Sequence, residues 1–259
     1  MQTDRSRILT ERAGNVLIIR INRADARNAF DYDTAAGLDA ALDQLDGDAS
    51  LWVGIITGAG KHFCAGADLK AVANGQRAYT ETRGGFGIFE RPARKPLIAA
   101  VEGFAVGGGF ELCLSCDLVV AAETARFGLP EVRHNVVAIG GALFRLQKRM
   151  PYNIAAELAL TGRFETAAFF HGHGVVNRLA AEGQALNAAL ELAGEITVNG
   201  PTAVWATHEI MFQAQLNAWD EPTAWDRQMP IADTALNSQD AREGLTAFAE
   251  KRKPVWTGR

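Results

Sequence analysis

VEGFAVGGGFELCLSCDLVVAAETARFGLPE, from Val101 to Glu131, is the stretch on which the reading of this chain turns. An apolar strand enters three consecutive glycines, Gly107, Gly108 and Gly109, and leaves them as the helical pattern Phe110, Leu112, Leu114. Glycine at a strand-to-helix turn lets a ligand come close to the backbone, and the free N–H groups of a helix start can stabilise negative charge. On their own the glycines are equally consistent with a tight turn. Two glutamates lie in apolar surroundings, Glu111 directly after the glycines and Glu131 after FGLP. Carboxylates are seldom buried without a reason, and a pair in low dielectric can divide acid and base work, one activating water while the other moves a proton. The plainer alternative for each is a helix-face glutamate in an ion pair.

Other chemistries fit poorly. Leu112 stands where a dinucleotide-binding fingerprint beginning at Gly107 needs its last glycine. In GAGKH, from Gly58, Lys61 is followed by His62 rather than serine or threonine, and Ile55 occupies the first glycine position of a phosphate loop. The serine-nucleophile pattern GxSxG does not occur. Cys113 and Cys116 have redox or metal spacing, but they fall in the predicted helix with no second pair, so core packing is expected. His171 and His173 lie on different faces of a predicted helix without an acidic set, and are not read as metal ligands.

Outward from this stretch, β-branched runs alternate with helical patterns. Val16 to Ile21, Leu51 to Thr57, Pro96 to Val101 and Asp117 to Ala121 read as strands, and Leu38, Leu42 and Leu45 as a helix with Asp33 as its cap. The result is an α/β layered domain with no strong repeat at a fixed period. After Leu179 the pattern turns helical, with helices expected at Glu182 to Val198, Pro201 to Leu216, Pro222 to Leu236 and Gln239 to Lys251. Trp205, Phe212, Trp219 and Trp225 in this part face either the core or another subunit. The division drawn is residues 1–199 as core and 200–259 as an appended helical region.

The 259 residues are 48% hydrophobic and 22% charged, the balance of a globular chain with enough apolar surface for a sizeable core. Lys plus Arg number 26 against 30 Asp plus Glu, a net −4 that gives no general attraction for nucleic acid or anionic lipid. Three cysteines argue against a disulfide framework. The polar start MQTDRSRILTERAG lacks a signal-peptide core and no long apolar run follows, so a cytoplasmic protein without a membrane partner is expected.

A second glycine-containing turn, GAGKHFCAGADLK from Gly58 to Lys70, also leads from a strand toward a helix start. Two such turns can offer two backbone donors to one oxygen, an oxyanion hole for an enolate or a tetrahedral anion.

Taken together, FCAGADL, GGGFEL, CDLVVAA and FGLPE resemble the crotonase family of acyl-CoA enzymes. The resemblance extends from NRADARNAF at Asn22 through LTGRFETAAFFHGHGVVNRL to EGLTAFAEKRKPVWTGR, nearly the whole chain. It implies a spiral core of ββα turns followed by C-terminal helices that build a homotrimer or, by pairing, a hexamer. It also implies a thioester carbonyl held by the N–H groups of Ala67 and Gly108. Glu111 and Glu131 match both glutamates of the hydratase branch, which implies reversible hydration of a trans-2-enoyl-CoA with neither metal nor redox cofactor. By the same carry-over, Ala26, Arg27, Ala65, Asp68, Leu69 and Lys70 lie along CoA, and Phe248 and Lys251 serve a neighbouring subunit's CoA.

The sequence departs from the hydratase pattern in HNVVAIGGA, where Asn135 replaces a glycine and Ala138 and Ile139 replace proline and glycine; Ala24 likewise stands where proline is common. Asparagine tolerates a left-handed backbone, so Asn135 is compatible with the glycine's role. GGFELCLSCDLVV and FAEKRKPVW also resemble carnitinyl-CoA dehydratase-like members. A double-bond isomerase and a non-catalytic acyl-CoA binder are the remaining alternatives.

Overall fold

The computed structural model describes residues 6–259; residues 1–5 of the polar start lie outside the described residues. The chain opens with β1 (Ile8–Ala13), β2 (Val16–Ile21), α1 (Tyr32–Gly47), β3 (Val53–Gly58), α2 (Leu69–Ala73) and a small pair, β4 (Tyr79–Thr80) and β5 (Gly84–Gly85). The centre is β6 (Leu97–Val101), β7 (Phe104–Val106), α3 (Gly108–Leu114), β8 (Leu118–Ala122) and β9 (Arg126–Gly128). Next come α4 (Ala142–Arg145), α5 (Tyr152–Thr161), β10 (Phe164–Thr166), α6 (Ala167–Gly172) and β11 (Arg178–Ala180). Helices α7 (Ala185–Thr197), α8 (Pro201–Leu216), α9 (Glu221–Leu236) and α10 (Gln239–Glu250) complete it.

VLIIRI, VGIITG, LIAAV and LVVAA are apolar at almost every position because the strands they form, β2, β3, β6 and β8, are covered on both faces. They pair in parallel in a six-stranded sheet of order β1-β2-β3-β6-β8-β11, with β1 antiparallel at one edge. Alternate residues build two cores: Leu17, Ile19, Ile56, Ala99 and Val119 face one layer, while Val16, Val53, Ile55, Ile98 and Val120 face α7. After each of these strands the chain turns into a short second segment before a helix or helical turn: Phe30, which bridges Ala67; Cys64, which bridges Ala105; β7; and β9. This is the strand–turn–strand–helix spiral that the resemblance implied.

Val16–Ile21 forms a strand as expected, and the other three expected strands move by one or two residues at their ends. Two local readings are corrected. Asp31, not Asp33, caps α1, because its Oδ1 accepts from the Thr34 amide at 2.9 Å. The helix α3 ends at Leu114, so Cys116 lies beyond it. Cys113 and Cys116 are nonetheless core residues, and burial pushes both thiols up.

Trp205 of α8 and Trp256, beyond α10, pack against the cluster shared by α7 and the sheet, while α9 and α10 pack on α8. Trp205 of α8 donates from Nε1 to the Trp52 carbonyl at 3.2 Å and stacks beneath the Lys95 ammonium, whereas Trp225 is exposed, so the aromatic set divides between core and surface. Among the described residues no helix is long and apolar enough to cross a membrane.

Candidate active site

The two glycine-containing turns meet. Gly107 has φ 56° and ψ −129°, a conformation that a side chain disfavours, and its amide is tied to the Gly128 carbonyl at 2.9 Å. A Cβ on Gly108 would stand 2.6 Å from Phe86 Cζ, and one on Gly109 would collide with the Cys64 carbonyl. GGG is therefore required residue by residue: by backbone conformation, by a ring, and by the facing turn. Gly66 lies so close that a Cβ there would be 3.3 Å from the Gly108 nitrogen. The Phe30–Ala67 bridge uses Gly66 O and Asp68 N, which leaves the Ala67 N–H out of the pairing. Gly108 opens α3, where an N–H has no acceptor within the helix. Ala67 and Gly108 are both partly open to solvent.

Both carboxylates gather at this junction. Glu111, 4% exposed, projects from α3 and accepts at Oε1 from the Ala142 amide at 3.1 Å. Burial pushes its carboxyl up to about 7; the Ala142 and Gly140 amides and Arg145 oppose that shift, and the Glu131 charge adds to it. Glu131 follows Pro130 in the helical turn 130–134, and its Oε1 lies where a Gly107 Cβ would be 2.9 Å away. Burial raises its pKa as well, and its Oε2 is buried with no hydrogen-bond partner. Neither glutamate forms an ion pair among the described residues, so the plainer reading fails for both. Glu111, raised to about 7, can hold and release a proton near neutral pH, and Glu131 is shifted in the same direction.

The other predicted residues fall into two groups. Ala26 and Arg27 end a short helical turn beside the second glycine turn, with the Arg27 carbonyl accepting from the Ala65 amide at 3.0 Å. Asp68 caps α2 through the Lys70 and Ala71 amides and pairs with Arg23 at 2.9 Å; that hydrogen bond holds its carboxyl below the usual range. Its side chain is thus engaged by the protein. Leu69, 76% exposed, and Lys70 point outward. Phe248, 85% exposed, stands on α10 and Lys251 caps that helix in a left-handed conformation. Both sit in the helical layer rather than among the turns that hold Ala67 and Gly108. His171 and His173 each set Nδ1 against a carbonyl near the end of α6, those of Val176 and Phe169. Asn135 adopts φ 54°, the left-handed backbone that its replacement of glycine demands.

Sequence reasoning missed Phe86 over Gly108, the Ala142 amide on Glu111, and Arg145. Only an arginine flanked by Phe144 and Leu146 signalled the last.

A model described as enoyl-CoA hydratase/isomerase matches residues 11–259. The chain is 40% identical over 258 residues to enoyl-CoA hydratase EchA19 of Mycobacterium tuberculosis, covering 97% of this chain and 96% of that protein. It is 40% identical to carnitinyl-CoA dehydratase of Salmonella enteritidis over 256 residues, 96% of this chain and 97% of that one. A crystal structure of enoyl-CoA hydratase from M. tuberculosis H37Rv superposes with TM-score 0.94 at 51% identity, covering 98% of this chain and all (100%) of the other. A match of this length, on a spiral whose turns converge on one buried and one partly buried glutamate, shows that the chain belongs to the enoyl-CoA hydratase/isomerase family.

Proposed function

We propose that the protein is an enoyl-CoA hydratase, reversibly adding water to a trans-2-enoyl-CoA to give the 3-hydroxyacyl-CoA. The observation that carries this reading is the pair of glutamates at the 107–109 turn, one held by amides with a pKa of about 7 and the other with a bare buried oxygen. In this scheme the thioester oxygen accepts from the Ala67 and Gly108 N–H groups. Glu111, as carboxylate, takes a proton from water as the oxygen adds to C3, and charge moves through C2 onto the thioester oxygen. Protonated Glu131 returns a proton to C2. Each backbone donor is worth about 2.7–4 kcal/mol in such a state, and the side chains at the two donor positions matter little. Atoms and charge balance without an added cofactor.

CoA would run along Ala26, Arg27, Ala65, Asp68, Leu69 and Lys70, with Asp68 contributing shape and backbone because its carboxylate is already bound. Phe248 and Lys251 would complete the CoA site of a neighbouring subunit in a trimer or hexamer, which sedimentation of the purified protein would reveal. A dehydratase acting on a functionalised 3-hydroxyacyl-CoA is the second reading, favoured by the 40% identity to a carnitinyl-CoA dehydratase. An isomerase would need only one principal acid/base group. The test is a cofactor-free assay with crotonyl-CoA and longer trans-2-enoyl-CoAs, following loss of the conjugated thioester absorbance and weighing the product. Gain of one water is expected; unchanged mass with a displaced double bond, or binding without turnover across chain lengths, would overturn the proposal.

A further inference from the structure

Arg145 closes α4 and carries no role in the scheme above. Its guanidinium forks across three acceptors: Nη1 donates to Gly140 O at 2.9 Å and Ser115 Oγ at 3.3 Å, and Nη2 donates to Phe89 O at 2.6 Å. Each acceptor belongs to one wall around Glu111. Gly140 and Ala142 present amides to the carboxylate. Phe89 lies against Gly140 and stacks on Phe86, the ring over Gly108. Ser115 donates its hydroxyl to the Glu111 main-chain carbonyl at 2.9 Å. One planar cation thus ties together the loop, the aromatic wall and the helix that surround a single carboxylate, a geometry suited to arginine's rigid fork and not to lysine.

Arg145 makes no ion pair with any carboxylate among the described residues. The charged and titratable groups acting on it are Arg149, Glu111 and the Cys116 thiol. Those acting on Glu111 are Glu131 from the 130–134 turn and Arg145 from α4, besides the two amides. We propose that Arg145 is a positioning residue for hydration: it locks the 140–142 turn and Phe89 around Glu111 and so holds the carboxylate in place to accept a proton from water. The proposal rests on the hydratase reading for its kinetic consequence, but the hold on the Glu111 carboxyl can be followed without turnover.

The experiment compares wild type, Arg145→Gln and Arg145→Lys for the pH dependence of kcat and KM with crotonyl-CoA. In parallel, the Glu111 carboxyl is titrated by carbon NMR, its signal assigned by its loss in Glu111→Gln. In Arg145→Gln the acid limb and the carboxyl midpoint should both rise, because an opposing charge and the hold on the Gly140 and Ala142 amides are lost together, with kcat lowered and KM little altered. Arg145→Lys should keep the midpoint near wild type while kcat falls about tenfold or more, because the charge stays and the fork is lost. An unmoved midpoint in Arg145→Gln, or equal losses with unmoved limbs in both variants, would reduce Arg145 to packing and overturn the proposal. If Arg145→Gln does not fold, the lysine variant decides, since wild-type kcat in it would refute the positioning role. A wild type that hydrates nothing would sink the functional reading alone, leaving the NMR midpoint to judge Arg145.

Discussion

Glu111 pairs a functional asset with a cost to folding. Its carboxyl is raised to about 7 in the folded chain, chiefly by burial, against an ordinary 4.5. The folded state therefore binds an extra proton between those values, and stability declines as pH rises through that window. Glu111→Gln keeps shape and hydrogen bonding without the charge, so it should be more stable than wild type at pH 8, by on the order of 2–3 kcal/mol, with the advantage gone below about pH 4.5. Urea unfolding at pH 4.5 and 8 checks this, and equal differences at both would refute it. The same substitution should lower hydration turnover by about a hundredfold or more, as should Glu131→Gln, the range expected when an acid/base group is removed. Unchanged turnover in either variant would strike that residue from the scheme. In wild type, activity resting on the Glu111 carboxylate should rise with pH through about 7.

At the scale of elements, the site depends on how the stretch that carries the small β4–β5 pair is pinned to α1. Asp39, Asp43 and Asp46 recur on one face of α1 and hold the buried guanidinium of Arg83 at 3.3, 2.7 and 2.9 Å. Arg83 also donates to the Arg91 and Pro92 carbonyls, so it fixes both ends of the loop that lays Phe86 over Gly108. Arg83→Ala would take the buried cation from two nearly buried aspartates, Asp39 and Asp46, leaving them the Thr82 hydroxyl and the Arg94 amide as donors. A loss of about 3–5 kcal/mol is expected in urea denaturation, with KM for the thioester rising as Phe86 loosens. A variant as stable as wild type would show that water compensates the aspartates. The acidic face of α1 could be seen in the sequence as a charge pattern; its partner forty or so positions on could not, because charge periodicity along a helix does not say which cation comes to it.

For the whole molecule, the C-terminal residues return to the body of the chain. The Asp240 carboxylate, 2% exposed, accepts from the Thr257 amide and hydroxyl and from the Gly258 amide, while its own amide donates to the Arg259 carbonyl. Gly258 rests beside Trp205 and Trp52. Removing residues 257–259 should leave a buried carboxylate without donors and cost about 3 kcal/mol or more, read as a lower Tm; Asp240→Ala in the shortened chain should recover part of it. No lowering of Tm would mean that these bonds are replaced by water. The spiral itself was not legible as a repeat because its strands begin at unequal intervals, at Val16, Val53, Leu97 and Leu118, with segments of different length between them. The strands, the terminal helices and the GGG turn can be read from the amino-acid order, since each is written in the periodicity or composition of a short stretch, and Glu111 and Glu131 stand out there as carboxylates in apolar surroundings. Folding alone brings the Ala142 amide to Glu111, lays Phe86 over Gly108, sets Arg145 across the walls of the site and raises the Glu111 carboxyl toward neutrality. Those properties arise from desolvation and from contacts between residues distant in the chain, which no local pattern contains.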